Sequence, residues 1–454
     1  INLIMNQTLL TGVLYLLYLL IPGYVTTLLF NLSRDRFIIS YAISFAILIL
    51  SQLPFRYLDL TVTSWLLTLH FLYFLIFVIV FVSKTASFFE VARSIFYGPG
   101  RYLLGLISIV AIYSCYHLTV GAYTEIPSDF WEHLGRINQA KELVLENKFN
   151  SAPFSVFSLV THSNITHFLH AIVADILGTD TLQIRSSTTL IPTLIYLISV
   201  YCFTIKILQP LSLHTNTNSV IACLAVFFTV VSFGTATFSY VRYYAFFPAM
   251  FCMPIVLATY CIFSDYLDCF STTIKSLILI PILLLTMLFA HAQESLFAIL
   301  LLLGLIVWQT VVRFFSNELN LRQSFKHHYS TLVFLLTAIA LFVSVILTFG
   351  DFHYFDSTPH TIVVQLPINF IREVIIANPT FRFWDTLGFF GLVAYLCYFY
   401  FWSNFRKIEF INIGMLSPLA THFNPVYVII FLYVASPTAL WRTSYLMPLS
   451  IVAA

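Results

Sequence analysis

Residues 9–30 read LLTGVLYLLYLLIPGYVTTLLF, an apolar run without a charged side chain. At about 1.5 Å per residue, a helix of this length crosses the roughly 30 Å hydrocarbon core of a bilayer. Its residues do not alternate between apolar and polar, as the strands of a membrane β-barrel must. No basic n-region precedes the run, so we expect a membrane span here rather than a signal peptide.

The composition of the whole chain agrees with this first run. The 454 residues are 60% apolar and 9% charged, whereas soluble domains are about 45–50% apolar. A net charge of +2 gives no indication of a nucleic acid or polyanionic partner. The seven cysteines lie mostly in apolar runs without CxxC spacing, which favours packing over redox or metal chemistry. Ile1 and Ala454 fall in or beside apolar runs, so we expect the true chain ends to lie beyond them.

Similar runs recur along the chain and predict an all-α polytopic membrane protein with about 12–13 transmembrane helices. A span over 409–437 is expected to be broken by Pro418 and Pro425, and a last run begins near residue 445. The other predicted spans are 8–30, 37–53, 61–83, 102–120, 186–208, 218–234, 243–264, 274–290, 295–312, 330–349 and 386–404.

The distribution of Lys and Arg sets the expected orientation. If the loop that holds Arg34 and Arg36 is cytoplasmic, strict alternation leaves only Arg56, Arg242 and Arg442 in short outer loops. Two long loops, and most of the acidic residues, then lie on the outer side. We therefore expect a helical platform with an outward-facing polar chamber, and the expected location is a bacterial inner (plasma) membrane.

This orientation requires that residues 153–178 do not cross the membrane. The segment carries His162, His167, His170 and Asp175, which are costly at bilayer depth. Its polar residues recur on one face, so we expect helices that lie in the outer interface.

Four regions follow from this layout. They are an N-terminal three-span extension (1–101), a transmembrane core (102–350) that includes the outer loop 121–185, a second outer loop (351–385) and C-terminal transmembrane helices (386–454).

The stretch PSDFWEHLGRI, residues 127–137, gathers charges in a chain that has few. Pro127 with Ser128 or Asp129 as a cap indicates a helix start. Asp129, Glu132, His133 and Arg136 then lie on one helical face. One interpretation is a solvated amphipathic helix that buries Phe130, Trp131, Leu134 and Ile137. The other is a general base with neighbours that orient it, and spacing alone does not choose between them.

Two further clusters follow at predicted outer ends of spans. In GTATFSYVRYYAFFP (234–248), Arg242, Tyr243 and Tyr244 suit a phosphate, although an aromatic belt with a snorkelling arginine fits equally. In HAQES (291–295), His291 and Glu294 are three residues apart. They are expected to line a site, or to cap the following helix.

Other polar residues are weaker candidates. The loop DFHYFDSTPH (351–360) holds two Asp and two His, which fits no closed zinc pattern, so a solvated loop is favoured and a divalent metal stays an open alternative. An anion could be bound by Arg372, Glu373 and Arg382. Arg442 in LWRTSYLMP (440–448) is a further candidate. No nucleotide-binding or hydrolase motif stands in a credible context, and no other cofactor is expected.

From residue 102 onward the layout resembles the glycosyltransferase C (GT-C) superfamily of polytopic membrane glycosyltransferases, which includes protein mannosyltransferases and arabinosyltransferases. The resemblance rests on the order of SDFWEHLGRI, LGTDTLQIRSSTTLIPTLIYLISVYCF, YVRYYAFFP, HAQESL and WRTSYLMP. The chain departs from the family in its three leading spans, in the lack of an Asp-Asp or Asp-Glu pair in the first loop, and in the lack of a KPPL-like or HPPL-like tetrapeptide.

The resemblance implies transfer of a sugar from a polyprenyl-phosphate donor to a glycan, lipid or protein acceptor on the outer face, with inversion at the anomeric carbon. Asp129 matches the family's first-loop acid and is the expected base. Glu132, His133, Tyr243, Tyr244, His291 and Glu294 are expected to bind substrate. Arg242 and Arg442, with Arg372 or Arg382 in reserve, are expected to hold the phosphate.

Two other functions stay open from the sequence. A transporter or flippase of lipid-linked sugars requires broken helices or repeats with polar groups near the midplane. An acyltransferase requires an intramembrane histidine, for which His70 and His117 are the candidates, although each is more typical of helix packing.

Overall fold

The computed structural model describes eleven segments of the chain. The chain forms two compact units. The first unit holds residues 1–206 and 240–296, and the second holds residues 207–239 and 297–454. The four regions predicted from the sequence concern the order of spans and loops, and they stay a prediction. The described segments are 2–29, 36–97, 128–149, 165–182, 185–231, 248–268, 274–315, 361–368, 371–378, 384–434 and 437–454.

The described segments are largely helical, and the chain is a multi-pass membrane protein. Three shorter apolar helices coincide with the predicted spans 218–234, 274–290 and 386–404. The predicted spans 102–120 and 330–349 lie outside the described residues. Six of the described helices are long and apolar enough to cross a membrane, namely Leu10–Leu28, Phe37–Tyr57, Val62–Val82, Ile191–Leu211, Pro248–Leu267 and Ala292–Val312.

The helices are numbered here in chain order. Those that lie wholly or mainly in the first unit are α1 (Asn2–Leu19), α2 (Ile21–Leu29), α3 (Arg36–Leu50), α4 (Gln52–Tyr57), α5 (Val62–Tyr97), α6 (Ser128–Leu145), α7 (Ile165–Ile176), α8 (Arg185–Leu208), α10 (Pro248–Asp268) and α11 (Ile274–Ala290). The second unit contains α9 (Thr215–Val231), most of α12 (Ala292–Phe315), β1 (Thr361–Ile368), β2 (Ile371–Ala377), α13 (Trp384–Tyr400), α14 (Trp402–Phe405), α15 (Glu409–Ala420), α16 (Pro425–Val434), a 3-10 helix (Pro437–Leu446) and α17 (Leu449–Ala453).

Close packing of α2 against α3 depends on Gly23. A Cβ atom at this position would lie 1.8 Å from the Ser40 carbonyl oxygen and 2.7 Å from the Ser44 backbone nitrogen. The Gly23 N–H donates to Ser44 Oγ at 2.7 Å. In lipid the hydrophobic effect does not drive helices together, so they associate by close packing. Small residues are therefore common where two membrane helices meet.

Helix α3 is the central helix of the first unit. The Tyr41 hydroxyl donates to the Phe251 carbonyl of α10 at 2.7 Å. The ring of Phe45 stacks on that of Phe251, with centroids 5.8 Å apart. The tyrosine bond satisfies a polar group that would otherwise be costly in an apolar interior.

Helix α5 lies at the edge of the first unit. Phe71 and Phe74 are 65% and 64% exposed, whereas Val80 is buried against α2. An apolar helix that leaves most of its surface uncovered suits contact with lipid tails.

An ion pair joins the C-terminal ends of α8 and α10. Lys206 Nζ lies 2.6 Å from Asp265 Oδ1, and the lysine side chain is 10% exposed. Both helices therefore run in the same direction and end at the same side, as the alternation of the predicted spans requires.

Helix α7, within the predicted interfacial segment 153–178, is short. Its twelve residues span about 18 Å, too little to cross a bilayer. However, residues 166–174 are all buried. Packing of α6, α1 and α11 around the helix encloses both of its faces, so the helix is buried in protein, and its position at the outer interface stays a prediction.

The predicted all-α fold also needs correction in the second outer loop. Strands β1 and β2 pair antiparallel, with Thr361 opposite Ala377 and Gln365 opposite Glu373. The register shifts between Gln365 and Ile368, where Pro367 has no N–H to donate. The β-branched residues of these strands favour extended backbone over helix.

Packing within the second unit again uses glycine and a few buried polar bonds. A Cβ on Gly304 of α12 would lie 2.5 Å from Ile413 of α15. The Tyr398 hydroxyl donates to Asn412 Oδ1 at 3.1 Å. The predicted break of the span 409–437 is confirmed at Pro425, because α15 ends at Ala420 and α16 begins at Pro425, whereas Pro418 lies within α15.

Candidate functional site

Helix α6 presents the charged motif that the sequence singled out. The Arg136 guanidinium donates to the Glu132 carboxylate one turn away, which confirms that these two residues share a face. Leu134 and Ile137 are buried as predicted. Trp131 is 56% exposed on the protein, so its predicted burial at the membrane surface stays a prediction. Asp129 lies in the first turn of α6, and its side chain is outside the described part of the structure.

A pair of histidines joins α6 to α7. Nδ1 of His133 lies 2.8 Å from Nε2 of His167, and the rings are stacked with centroids 5.1 Å apart. One nitrogen must donate and the other accept, so the contact holds one proton. Burial of the ring, together with the positive charge of Arg136 and the nearby His291 and His170, lowers the pKa of His133 from 6.5 to about 3. His133 is therefore a neutral imidazole at physiological pH.

His170 lies one helical turn after His167 on α7. The hydroxyl of Tyr15 on α1 is hydrogen-bonded to Nδ1 of His170. The His170 ring also meets the Phe251 ring of α10 edge to face, with centroids 5.5 Å apart. His167 and His170 are each only 1% exposed. The two histidines thus bring polar groups into an otherwise apolar helix junction.

The turn between α11 and α12 holds a histidine–carboxylate pair. His291 Nδ1 is hydrogen-bonded to Glu294 Oε2. The other carboxylate oxygen, Oε1, accepts from Gln293 Nε2 at 3.2 Å. The Glu294 side chain is fully buried, whereas that of His291 is 31% exposed. The backbone N–H of Glu294 donates to the His291 carbonyl at 3.2 Å, which closes the turn.

Two motifs that are far apart in the sequence lie in the first unit. Helix α7 packs against both α6 and α11, and His291 lies within electrostatic range of His133. That PSDFWEHLGRI and HAQES face one site stays a prediction. We call His133, His167, His170, His291 and Glu294 the histidine cluster.

A buried arginine fixes the residues after α6 at one end of two membrane helices. The Arg56 guanidinium lies over the rings of Phe149 and Phe168, at 5.1 and 4.5 Å from their centroids. It donates to the Phe149 carbonyl at 3.4 Å and is 2% exposed. Asn147 Oδ1 accepts from the Thr63 N–H at 2.8 Å. These contacts dock the residues after α6 onto the end of span Phe37–Tyr57 and the start of span Val62–Val82.

Several predicted site residues are not placed in this cluster. Arg242, Tyr243, Tyr244 and Arg382 lie outside the described residues, as does the loop 351–360. Arg372 and Glu373 lie on β2, and their side chains are not among those described. Arg442 is half-buried in the 3-10 helix Pro437–Leu446 of the second unit. The predicted phosphate-binding role of these arginines stays a prediction.

A metal site does not emerge from the described side chains. Within the described segments, no three His, Cys, Asp or Glu side chains are placed to hold a metal ion together. His133 and His167 instead each use one ring nitrogen in the hydrogen bond between them.

Four residues at or near the histidine cluster are not among the predicted site residues, namely His167, His170, Tyr15 and Arg56. The spacing of His167 and His170, three residues apart in an apolar segment, was a signal that two polar groups share one helical face. Arg56 had no comparable signal, because a lone arginine at the end of a span is usually an interfacial anchor. His70, a candidate for acyl transfer, instead lies 2.9 Å from the Tyr18 hydroxyl through Nε2, as expected of a helix-packing residue.

Comparison of this chain with protein-family models, with curated proteins and with solved structures finds no match. Its function is therefore inferred from its own residues and contacts.

Proposed function

We propose that this protein is a membrane glycosyltransferase that moves a sugar from a polyprenyl-phosphate donor to an acceptor on the extracytoplasmic face, with inversion. The observation that carries the proposal is that α7 packs against α6, through His133 and His167, and against α11, after which His291 lies. His133 and His291 belong to two of the motifs on which the resemblance to the GT-C superfamily rests.

The position of the cluster suits a lipid-linked substrate. Arg56, Thr63 and Asn147 fix α6 at one end of two apolar spans. A polyprenyl-phosphate carries its phosphate and sugar at the membrane boundary and its tail among the lipids, so the reacting bond lies at the depth of a helix end. The exposed aromatic face of α5 offers a surface on which such a tail can lie.

The polar groups of the cluster match what glycosyl transfer requires. A donor that is already activated needs no nucleotide site. It needs a proton acceptor beside the attacking hydroxyl and hydrogen-bond donors that fix the sugar. The histidine cluster provides a buried carboxylate, a half-exposed imidazole and the neutral imidazole of His133, which is bonded to His167, in one unit. Asp129, one helical turn before His133, stays the base predicted by the resemblance.

The proposal is tested with purified protein in proteoliposomes that contain a panel of polyprenyl-phosphate sugars and a lipid and glycan extract as acceptor. We expect the free polyprenyl phosphate and a glycosylated product to appear together with at least one donor. His214→Asn, which changes an exposed histidine of the second unit, serves as the matched control for variants in the cluster and is expected to retain full transfer.

Movement of the sugar lipid across the bilayer without release of polyprenyl phosphate would contradict the proposal and favour a transporter. Lack of both transfer and movement with every donor would remove lipid-linked sugars as substrates altogether.

A further inference from the structure

We propose that His291 is the proton acceptor of the transfer reaction and that Glu294 is its positioning residue. The inference rests on the proposed function and goes beyond it. From the sequence, these two residues were expected only to line the substrate site or to cap a helix.

The hydrogen bond between the two side chains fixes the tautomer of His291. Glu294 in its ionised form accepts hydrogen bonds and donates none. Nδ1 of His291 must therefore carry the proton that it shares with Oε2. In the neutral imidazole this leaves the lone pair on Nε2. Among the described residues, none forms a hydrogen bond with Nε2 of His291.

The difference in burial separates the two roles. Glu294 is fully buried and both of its carboxylate oxygens are engaged, by His291 and Gln293. The Glu294 carboxylate orients the His291 imidazole and compensates positive charge on it. Because it is fully buried, the carboxylate itself does not reach a substrate. The His291 side chain keeps 31% of its surface exposed. A base oriented by a buried carboxylate, with its second nitrogen open, is the general arrangement of a histidine that transfers protons.

Several titratable groups of neighbouring helices lie around the His291–Glu294 pair. His133 on α6 is neutral at physiological pH because burial and the charge of Arg136 lower its pKa to about 3. The Arg136 guanidinium is itself bonded to Glu132. On α10, the thiol of Cys252 lies within electrostatic range of Glu294. His170 on α7 also acts electrostatically on His133.

The reaction step balances with these groups alone. Nε2 of His291 takes the proton of the acceptor hydroxyl, and the acceptor oxygen forms a bond with the anomeric carbon. The bond between that carbon and the phosphate oxygen breaks, and its electron pair leaves with the polyprenyl phosphate. The imidazolium, stabilised by Glu294, then releases its proton to water.

Asp129 and His291 compete for this one role, and substitution separates them. If His291 is the proton acceptor, Asp129→Asn retains part of the transfer activity, because the acceptor is still present.

The decisive experiment measures transfer by His291→Ala with and without added imidazole. We expect a loss of about 10²- to 10⁴-fold, as for other general bases, and partial recovery with imidazole. In Glu294→Gln the rate of transfer should fall on the order of tenfold to 100-fold, as it does when the partner that orients a functional group is removed. His214→Asn should behave as wild type. Full transfer by His291→Ala, or a loss that imidazole does not recover in a folded variant, would overturn the assignment.

A chemical measurement separates failure of this inference from failure of the proposed function. Diethyl pyrocarbonate modifies unprotonated imidazole, and peptide mass spectrometry reports its rate at His291. We expect faster modification in the wild type than in Glu294→Gln, because the carboxylate makes the ring more nucleophilic. If no donor supports transfer, the proposed function fails while this rate difference still supports an oriented base. Equal rates would overturn the pairing itself.

Discussion

Nδ1 of His133 and Nε2 of His167 lie 2.8 Å apart, on two helices that belong to the same predicted outer loop. This contact joins the charged motif of α6 to the enclosed helix α7. His291 lies within electrostatic range of His133, so protonation of the pair affects both the stability of the loop and the charge around His291.

The histidine pair predicts a loss of stability in acid. The pKa of His133 is lower in the folded protein than the ordinary value of 6.5, so the unfolded chain binds a proton first as pH falls. This stabilisation is fully present above about pH 6.5 and declines toward the folded pKa of about 3. We expect the melting temperature to fall between pH 7.5 and 5, and to fall less in His133→Asn. A fall of the same size in His133→Asn and His214→Asn would contradict this origin.

Arg56 is expected to make the main stabilising contact between the predicted first outer loop and the membrane helices. Arg56→Ala removes two ring contacts and a hydrogen bond to the Phe149 carbonyl, and leaves a cavity. We expect a loss of about 2–4 kcal/mol in the free energy of unfolding. Arg56→Lys should recover only part of it, since an ammonium group does not stack as a planar guanidinium does. Arg406→Ala, at an exposed arginine, is the control in a denaturant titration. Unchanged stability in Arg56→Ala would refute this role.

Gly23 and Gly135 offer a matched pair of substitutions. Gly23→Ala places a methyl group against the Ser40 carbonyl and should destabilise the protein by about 1–3 kcal/mol. Gly135 lies on α6, and a Cβ atom added there would meet no other atom within 4 Å, so Gly135→Ala should stabilise by roughly 0.5–1 kcal/mol. Thermal unfolding of both variants checks the opposite signs. A stable Gly23→Ala variant would show that α2 and α3 are less closely packed than described.

The ion pair between Lys206 and Asp265 should be non-additive in a double-mutant cycle. Removal of either partner leaves a charge at a site where the lysine is only 10% exposed, so Lys206→Met and Asp265→Asn should each destabilise. The double variant should lose less than the sum of the two single losses. Additive losses in thermal unfolding would indicate that the two charges do not interact.

Much of the helical framework follows from the sequence, because a membrane span is a local property. Runs such as 8–30 and 61–83 are long and apolar enough to predict a span without any tertiary information. The break between α15 and α16 is equally local. Pro425 begins α16, and Asn424 Oδ1 accepts from the Val426 N–H at 3.0 Å to cap it.

Features that depend on tertiary packing were not predicted. The burial of α7 depends on helices from three other parts of the chain, and its histidines alone indicated a surface position. The strands β1 and β2 depend on pairing across a turn, which a search for membrane runs does not detect. The approach of His133 to His291 was expected only from the resemblance and the alternation of spans, since spacing along the chain contains no information on so distant a contact.

The central claim is that the α6 motif and the α11–α12 turn form one site, and cross-linking tests it most directly. In a background without the native cysteines, His133→Cys with His291→Cys would be treated with a short bifunctional thiol reagent. Cleavage of the chain between the two positions then reports the cross-link on a gel. His133→Cys with Lys206→Cys, at the C-terminal end of α8 beside Asp265, is the matched control. We expect rapid cross-linking of the first pair and none of the second, whereas no product from the first pair, or equal product from both, would contradict a shared site.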